Sequence, residues 1–102
     1  MKIAIASTTQ APDAQVAMHA ARAPYYLILD TEGDLYEVFS NPVAQIERGA
    51  GPKAAAFLVQ HNVNMFVAGK FGHRFRVALE ENNIVCEERH GSVVDVIEEY
   101  RR

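Results

Sequence analysis

His19 is the side chain in this 102-residue chain whose type and setting point most sharply to ligand chemistry. It lies in His19-Ala20-Ala21-Arg22-Ala23-Pro24-Tyr25-Tyr26, where a polar, proline-broken loop runs into an apolar strand. A neutral imidazole on a loop can ligate a metal or donate a hydrogen bond to an anion. A surface or hinge histidine is the simpler use of the same residue. Met18 beside it offers a thioether, a group more often used for packing than for ligation. A second feature is Gly49-Ala50-Gly51-Pro52-Lys53-Ala54-Ala55, a glycine-rich run that opens a helix. Its first-turn N–H groups and positive dipole end can face an anion. Lys53 in that turn opposes the helix dipole, which fits a bound anion or a solvated lysine equally well. The Lys-Ser or Lys-Thr pair of a phosphate loop is missing. Gly69-Lys70-Phe71-Gly72-His73-Arg74 repeats the arrangement with more basic residues.

Arg22, Lys53, Lys70, His73 and Arg74 thus form a local positive rim on a chain of net charge −3. That contrast suits a compact anion rather than a polyanion. Cys86 and His90 flank the end of the last apolar strand and could join His19 as soft metal ligands. Cys86 sits among apolar residues, however, where an inert buried thiol is the simpler expectation. With one cysteine there is no Cys-x-x-Cys, which argues against a cysteine-held iron–sulfur cluster or a structural zinc site. A Gly-x-Ser-x-Gly nucleophile turn is also missing. The first strand, Ile3-Ala4-Ile5-Ala6-Ser7, carries no carboxylate of the kind a divalent-metal nuclease needs. His61 at a helix end and Glu98 and Glu99 on a solvated face are given no role. Catalysis is not expected.

The elements that must position these residues follow from periodicity. Apolar runs at 2–7, 25–30 and 35–40 read as strands, the last two closed into a hairpin by Thr31-Glu32-Gly33-Asp34 and stopped by Asn41-Pro42. Pro52 fits the first position of a helix on which Ala54, Phe57, Leu58 and His61 share a face. Met65-Phe66-Val67-Ala68 is a short buried strand. Phe75, Ala78, Leu79 and Asn82 mark a second helix, and Ile84-Val85-Cys86-Glu87 the last strand. Ser92 with Asp95 resembles a capping box ahead of the stripe Val93, Val96, Ile97 and Tyr100. The order β-β-β-α-β-α-β-α predicts one α/β domain over residues 1–102, a five-stranded mixed sheet with helices on its faces. Such a sheet gathers residues 8–24, 49–53, 69–74 and 87–92 at one edge, outside the carboxyl ends of the parallel strands, where open α/β sheets bind ligands. The 8–24 segment reads as a long loop, and long loops in compact domains are usually functional.

Composition bounds the alternatives. With 49% hydrophobic and 23% charged residues, the chain is an ordinary globular domain that needs no disulfide. Its net negative charge argues against general affinity for nucleic acid or anionic membranes. No apolar run approaches the roughly 20 residues that cross a bilayer. The apolar start is too short for a signal peptide. A lone cysteine suits a reducing compartment, so a cytoplasmic location is expected.

Several segments, in order, resemble one known family over essentially the whole chain. They are Met1-Lys2-Ile3-Ala4-Ile5-Ala6, the His19 to Tyr26 segment, Asn41-Pro42, the Gly49 to Ala55 run, the turn from Gly69 to Gly72, and the closing helix after Gly91-Ser92. This pattern resembles the dinitrogenase iron–molybdenum cofactor biosynthesis family, the NifX, NafY and NifB C-terminal type of domain. The resemblance implies a ribonuclease-H-like fold. It also implies a non-catalytic protein that binds an iron–molybdenum cofactor precursor or a related anionic metal–sulfur cluster and passes it between a donor and an acceptor protein. A related small protein holds a molybdenum–copper sulfide cluster without covalent attachment. His19 matches the family's loop histidine, a cluster contact, and Gly49, Gly51 and the 69–72 turn match its glycine-bearing rim. Two departures stand out. Ala20-Ala21 replaces the usual Phe-Gly, and Gly72-His73-Arg74-Phe75 is more basic than the usual Gly-Pro-Asn type. A different reading of the same residues is a regulatory module that senses a small anion or contacts a partner protein without metal.

Overall fold

Ile3, Ala4, Ile5 and Ala6 are all fully buried, which a strand allows only where both faces of its sheet are covered. They form the middle of β1 (Lys2–Ser7). The computed structural model describes residues 1–32, 35–46 and 48–101. In it, β2 (Tyr25–Asp30) and β3 (Leu35–Ser40) extend β1 as an antiparallel meander. Helix α1 (Ala50–Gln60) crosses to β4 (Met65–Ala68), α2 (His73–Glu81) crosses to β5 (Val85–Glu88), and α3 (Val93–Arg101) closes the chain. The spatial order is β3-β2-β1-β4-β5, with β4 parallel to β1 and β5 parallel to β4. This is the five-stranded mixed sheet that the element order predicts, and the ribonuclease-H-like arrangement that the family resemblance implies. Gly33 and Asp34 of the expected hairpin turn lie outside the described residues.

Two boundaries differ from expectation for identifiable reasons. Ile84 is not the first residue of β5, because its N–H donates back to Leu79 O at the end of α2 (2.9 Å). Helix α1 starts at Ala50, ahead of Pro52, because Gly49 takes a left-handed turn (φ 74°) open chiefly to glycine. Gly49 O then accepts the Lys53 N–H (3.3 Å), the first bond of the helix.

The pleat divides β1 between two cores. Ala4 and Ala6 face α1 and α2, where they meet Ala54, Ala55, Leu58, Phe75 and Leu79. Ile3 and Ile5 face α3 and its Val93, Val96 and Ile97. Small side chains let two helices approach the sheet closely, while larger ones fill the side that a single helix covers. Among the described residues no helix is long and apolar enough to cross a membrane.

Residues 8–24 are more ordered than a loop. Thr8 N–H donates to Gln15 O (3.0 Å) and Ala17 N–H to Ala6 O (2.8 Å), so the chain returns across the end of β1. Val16 N–H reaches Gly91 O (2.8 Å) and Val93 N–H reaches Ala14 O (3.0 Å), beyond β5. Gly69 N–H donates to Ala17 O (2.9 Å) and Ala20 N–H to Lys70 O (3.1 Å), beyond β4. Residues 14–20 are therefore a strap laid over the carboxyl ends of all three parallel strands.

The strap fixes one glycine by contact. A Cβ on Gly69 would lie 2.8 Å from Met18 Cα, a backbone atom that cannot swing away, whereas one on Gly72 would meet nothing within 4 Å. Gly69→Ala is expected to lower unfolding stability by about 1–3 kcal/mol. Gly72→Ala meets no clash and should cost less, up to about 1 kcal/mol, the scale of an N-cap preference for glycine over alanine. Urea denaturation of the two variants side by side checks the contrast.

Candidate functional site

His19, Ala20, Ala21, Arg22, Lys70 and Gly72 line a cleft of about 270 Å³ at the strapped edge, room for a compact ion or cluster rather than a drug-sized molecule. One wall is the end of the strap and the other is the turn after β4. His19 and Lys70 lie side by side in a short parallel bridge. The Arg22 guanidinium donates to Ile46 O, which ties this wall to the segment after β3. Gly72 is also the N-cap of α2, whose first turn has no capping side chain and no acidic residue. Among the described residues its leading N–H groups thus lack side-chain partners, and the dipole there is positive. Among the described residues no carboxylate lines the cleft. The arrangement favours an anion.

Both walls are anchored to one aromatic cluster. The Tyr26 hydroxyl donates to Ala20 O (2.9 Å) and, at longer range, to Ala21 O (3.4 Å). Asn41 Nδ2 donates to Ala21 O (2.9 Å) and Ala23 O (2.8 Å), while Asn41 Oδ1 accepts Val43 N–H (2.9 Å). Burial pushes the Tyr26 phenol well above its ordinary value, against a smaller opposing effect of the Asn41 hydrogen bond, so it stays a donor. The Tyr26 ring packs edge-on against Phe66 (5.1 Å), and Phe66 in turn meets Phe71 and Phe75 (both 5.7 Å). Phe71 stands between Lys70 and Gly72, so burying it sets where that turn sits. Tyr26, Asn41 and Phe71 are positioning residues that motif reading missed. A tyrosine facing the core within an apolar strand and an asparagine closing the next strand were the available signals.

The other sequence candidates fall elsewhere. Gly51 abuts Phe75, whose Cα would lie 3.3 Å from an added Cβ, so its role is close packing of α1 on α2. Gly49 supplies the left-handed turn, and Lys53 is exposed in the first turn of α1. His73 and Arg74 line an adjoining shallow surface with Pro52. His90 is exposed on the turn after β5, which meets the strap at Val16, three residues before His19. Cys86 is half-buried on the α1 and α2 side of the sheet. Burial pushes its thiol up to about 11, with Arg76 opposing and Glu80 and Glu87 adding to the rise. Among the described residues no group of three or more His, Cys, Asp or Glu side chains is placed to hold a metal ion.

A mixed five-stranded sheet that brings an imidazole, two cations and an uncapped helix start to its carboxyl edge defines a small α/β domain with an anion-suited cleft. The chain belongs to the dinitrogenase iron-molybdenum cofactor family, whose model matches residues 1–102. It is similar to a Thermotoga protein solved by NMR and described as a candidate NifB, at 30% identity and a TM-score of 0.80, covering 98% of this chain and 89% of that one. In fold it is similar to the apo form of the orange protein from Desulfovibrio gigas, at 20% identity and a TM-score of 0.88, covering 97% and 85%. A candidate dinitrogenase from Methanocaldococcus jannaschii shares the fold at 19% identity and a TM-score of 0.62, covering 95% and 84%. No curated protein matches the chain. The expected family and fold are both borne out.

Two outcomes check the geometry. Tyr26→Phe leaves the Ala20 carbonyl without its donor and is expected to cost about 1–2 kcal/mol, read by urea denaturation, with faster amide exchange along residues 20–22. The raised Cys86 pKa means little thiolate at neutral pH. Its alkylation by iodoacetamide should keep accelerating until about pH 11, where a free thiol levels off near about 8.5.

Proposed function

We propose that this chain is a non-catalytic carrier that holds an iron–molybdenum cofactor precursor, or a related anionic metal–sulfur cluster, as cargo in the His19 cleft and delivers it to a partner protein. The observation that carries this reading is the donor set of the cleft: one imidazole, the Arg22 and Lys70 cations and the open start of α2. Charge and N–H donors attract an anionic cluster, and the imidazole offers a metal atom one ligand. A bare metal ion would ask for several converging protein ligands. A preassembled cluster that brings its own sulfide asks for fewer. Family membership supports the class of cargo and points to cluster donor and acceptor proteins of the same assembly route as partners.

The test is anaerobic. Apo-protein is mixed with iron–molybdenum cofactor precursor, and separately with tetrathiomolybdate plus copper, then desalted and read for visible absorbance and metal content. Cluster that survives desalting is expected, with affinity reduced about tenfold or more in His19→Ala, the scale of one lost interaction with a charged ligand. Equal retention by a folded His19→Ala variant would sink the assignment of the site. No retained metal in either mixture would turn the reading toward a module that senses a small anion or contacts a protein.

A further inference from the structure

β3 is an edge of the sheet, and its outward backbone groups can be identified. Asn41 N–H donates to Pro24 O (3.0 Å), continuing the register in which Tyr25 faces Ser40. An antiparallel strand alternates its bonded side residue by residue. Glu37 and Phe39 therefore direct their N–H and C=O toward β2, while Tyr36, Val38 and Ser40 direct theirs outward. Proteins commonly blunt such an edge with proline, lysine or a bulge. This strand has no proline or lysine, and its pairing with β2 runs without interruption.

Both faces beside the edge are open. On the α1 face, a cleft of about 180 Å³ is lined by Ile28, Asp30, Glu37, Phe39 and His61 among others. On the α3 face, an apolar cleft of about 110 Å³ is lined by Leu27, Val38, Val93, Val94 and Ile97 among others. Tyr36, 56% exposed, borders both. Successive side chains of a strand point to opposite faces, so a chain paired to β3 would aim one side chain at the Glu37 cleft and the next at the apolar one.

We propose that β3 is a docking edge for an extended segment of a partner protein that alternates basic and apolar side chains and adds to the sheet as a sixth strand. Charge selects that partner. Glu37 stands on the edge strand itself, lines the first cleft, and has no ion-pair partner among the described residues. A second copy supplies no cation, because Glu37 is the only charged residue of β3. The edge shares no lining residue with the His19 cleft, so the proposal stands independently of the carrier reading.

The intact protein is titrated with two short capped peptides, one alternating valine and lysine, the other valine and glutamate. Binding is read by fluorescence anisotropy and by amide hydrogen exchange. The valine–lysine peptide is expected to bind saturably and to slow exchange at Tyr36, Val38 and Ser40. Glu37→Lys, an exposed change whose folding circular dichroism verifies, should weaken it about fivefold, the scale of a cross-strand charge reversal. Val38→Pro removes an outward N–H without touching a bond to β2 and should abolish the protection. If that variant fails to fold, Glu37→Lys decides alone. Absence of binding, equal binding of the two peptides, indifference to Glu37→Lys, or protection confined to other residues would each overturn the proposal. A concentration-dependent dimer with those same amides protected would overturn it too, by assigning the edge to a second copy.

Discussion

The backbone groups left at the carboxyl ends of β1, β4 and β5 need partners, and the strap of residues 14–20 provides them. Ala6 O, Lys70 O and Gly91 O accept N–H groups from the strap, and Gly69 N–H donates to it. Buried main-chain groups without partners are costly, so this stitching is a condition of the fold. Much of the site follows from it. The strap passes so close to the end of β4 that Gly69 has no room for a side chain beside Met18. Its next residue, His19, then falls opposite Lys70. Ala20 and Ala21 come within reach of Tyr26, whose hydroxyl holds both carbonyls. The position of the candidate ligand is thus a by-product of main-chain hydrogen bonding.

Electrostatics works by separation. Arg76 pairs with Glu88 at 3.3 Å, and Arg89 pairs with Glu87 at 3.2 Å and Glu99 at 3.3 Å. These pairs are partly exposed and add little stability. Their consequence is local: carboxylates beyond β5 are already engaged by arginines on that side of the molecule. Arg76 also lies 5.2 Å from the Phe71 ring centroid, which links this network to the turn carrying Lys70. Lys70 itself has no ion-pair partner among the described residues. A chain of net negative charge therefore leaves the Lys70 wall of the cleft cationic among the described residues.

Side-chain periodicity made most of the fold legible. Alternation in β1, the Tyr25 to Ser40 hairpin and three helical stripes gave element order and strand direction, and topology then brought the His19 loop and the Lys70 turn to one edge. What escaped was carried by atoms that every residue shares. The strap is held by backbone N–H and C=O groups, which leave no mark on residue type. Gly51 and Gly69 read as a ligand rim, yet packing against Phe75 and Met18 accounts for both. Tyr26 and Asn41 read as a strand residue and a strand stop, although their polar atoms set the cleft wall. Cys86, His90 and His19 were grouped by chemistry alone. The structure puts Cys86 on the α1 and α2 side of the sheet and His90 at the turn beyond β5.

Ala20-Ala21, where the resemblance leads one to expect Phe-Gly, bears on how such a cleft would work. The loop does not depend on those side chains for its shape. Its carbonyls are held from below by Tyr26 and Asn41, and Ala20 itself is buried. Exchanging an aromatic and a glycine for two alanines therefore leaves a defined wall with no aromatic lid. A cleft open to water feels more ionic screening, so attraction between its cations and an anion is weakened by salt. One imidazole and screened charge make a hold that a competing partner can break. An enclosed site with several protein ligands would retain its cargo longer and release it more slowly. On the proposed carrier reading, the open form suits delivery of a cargo better than its storage.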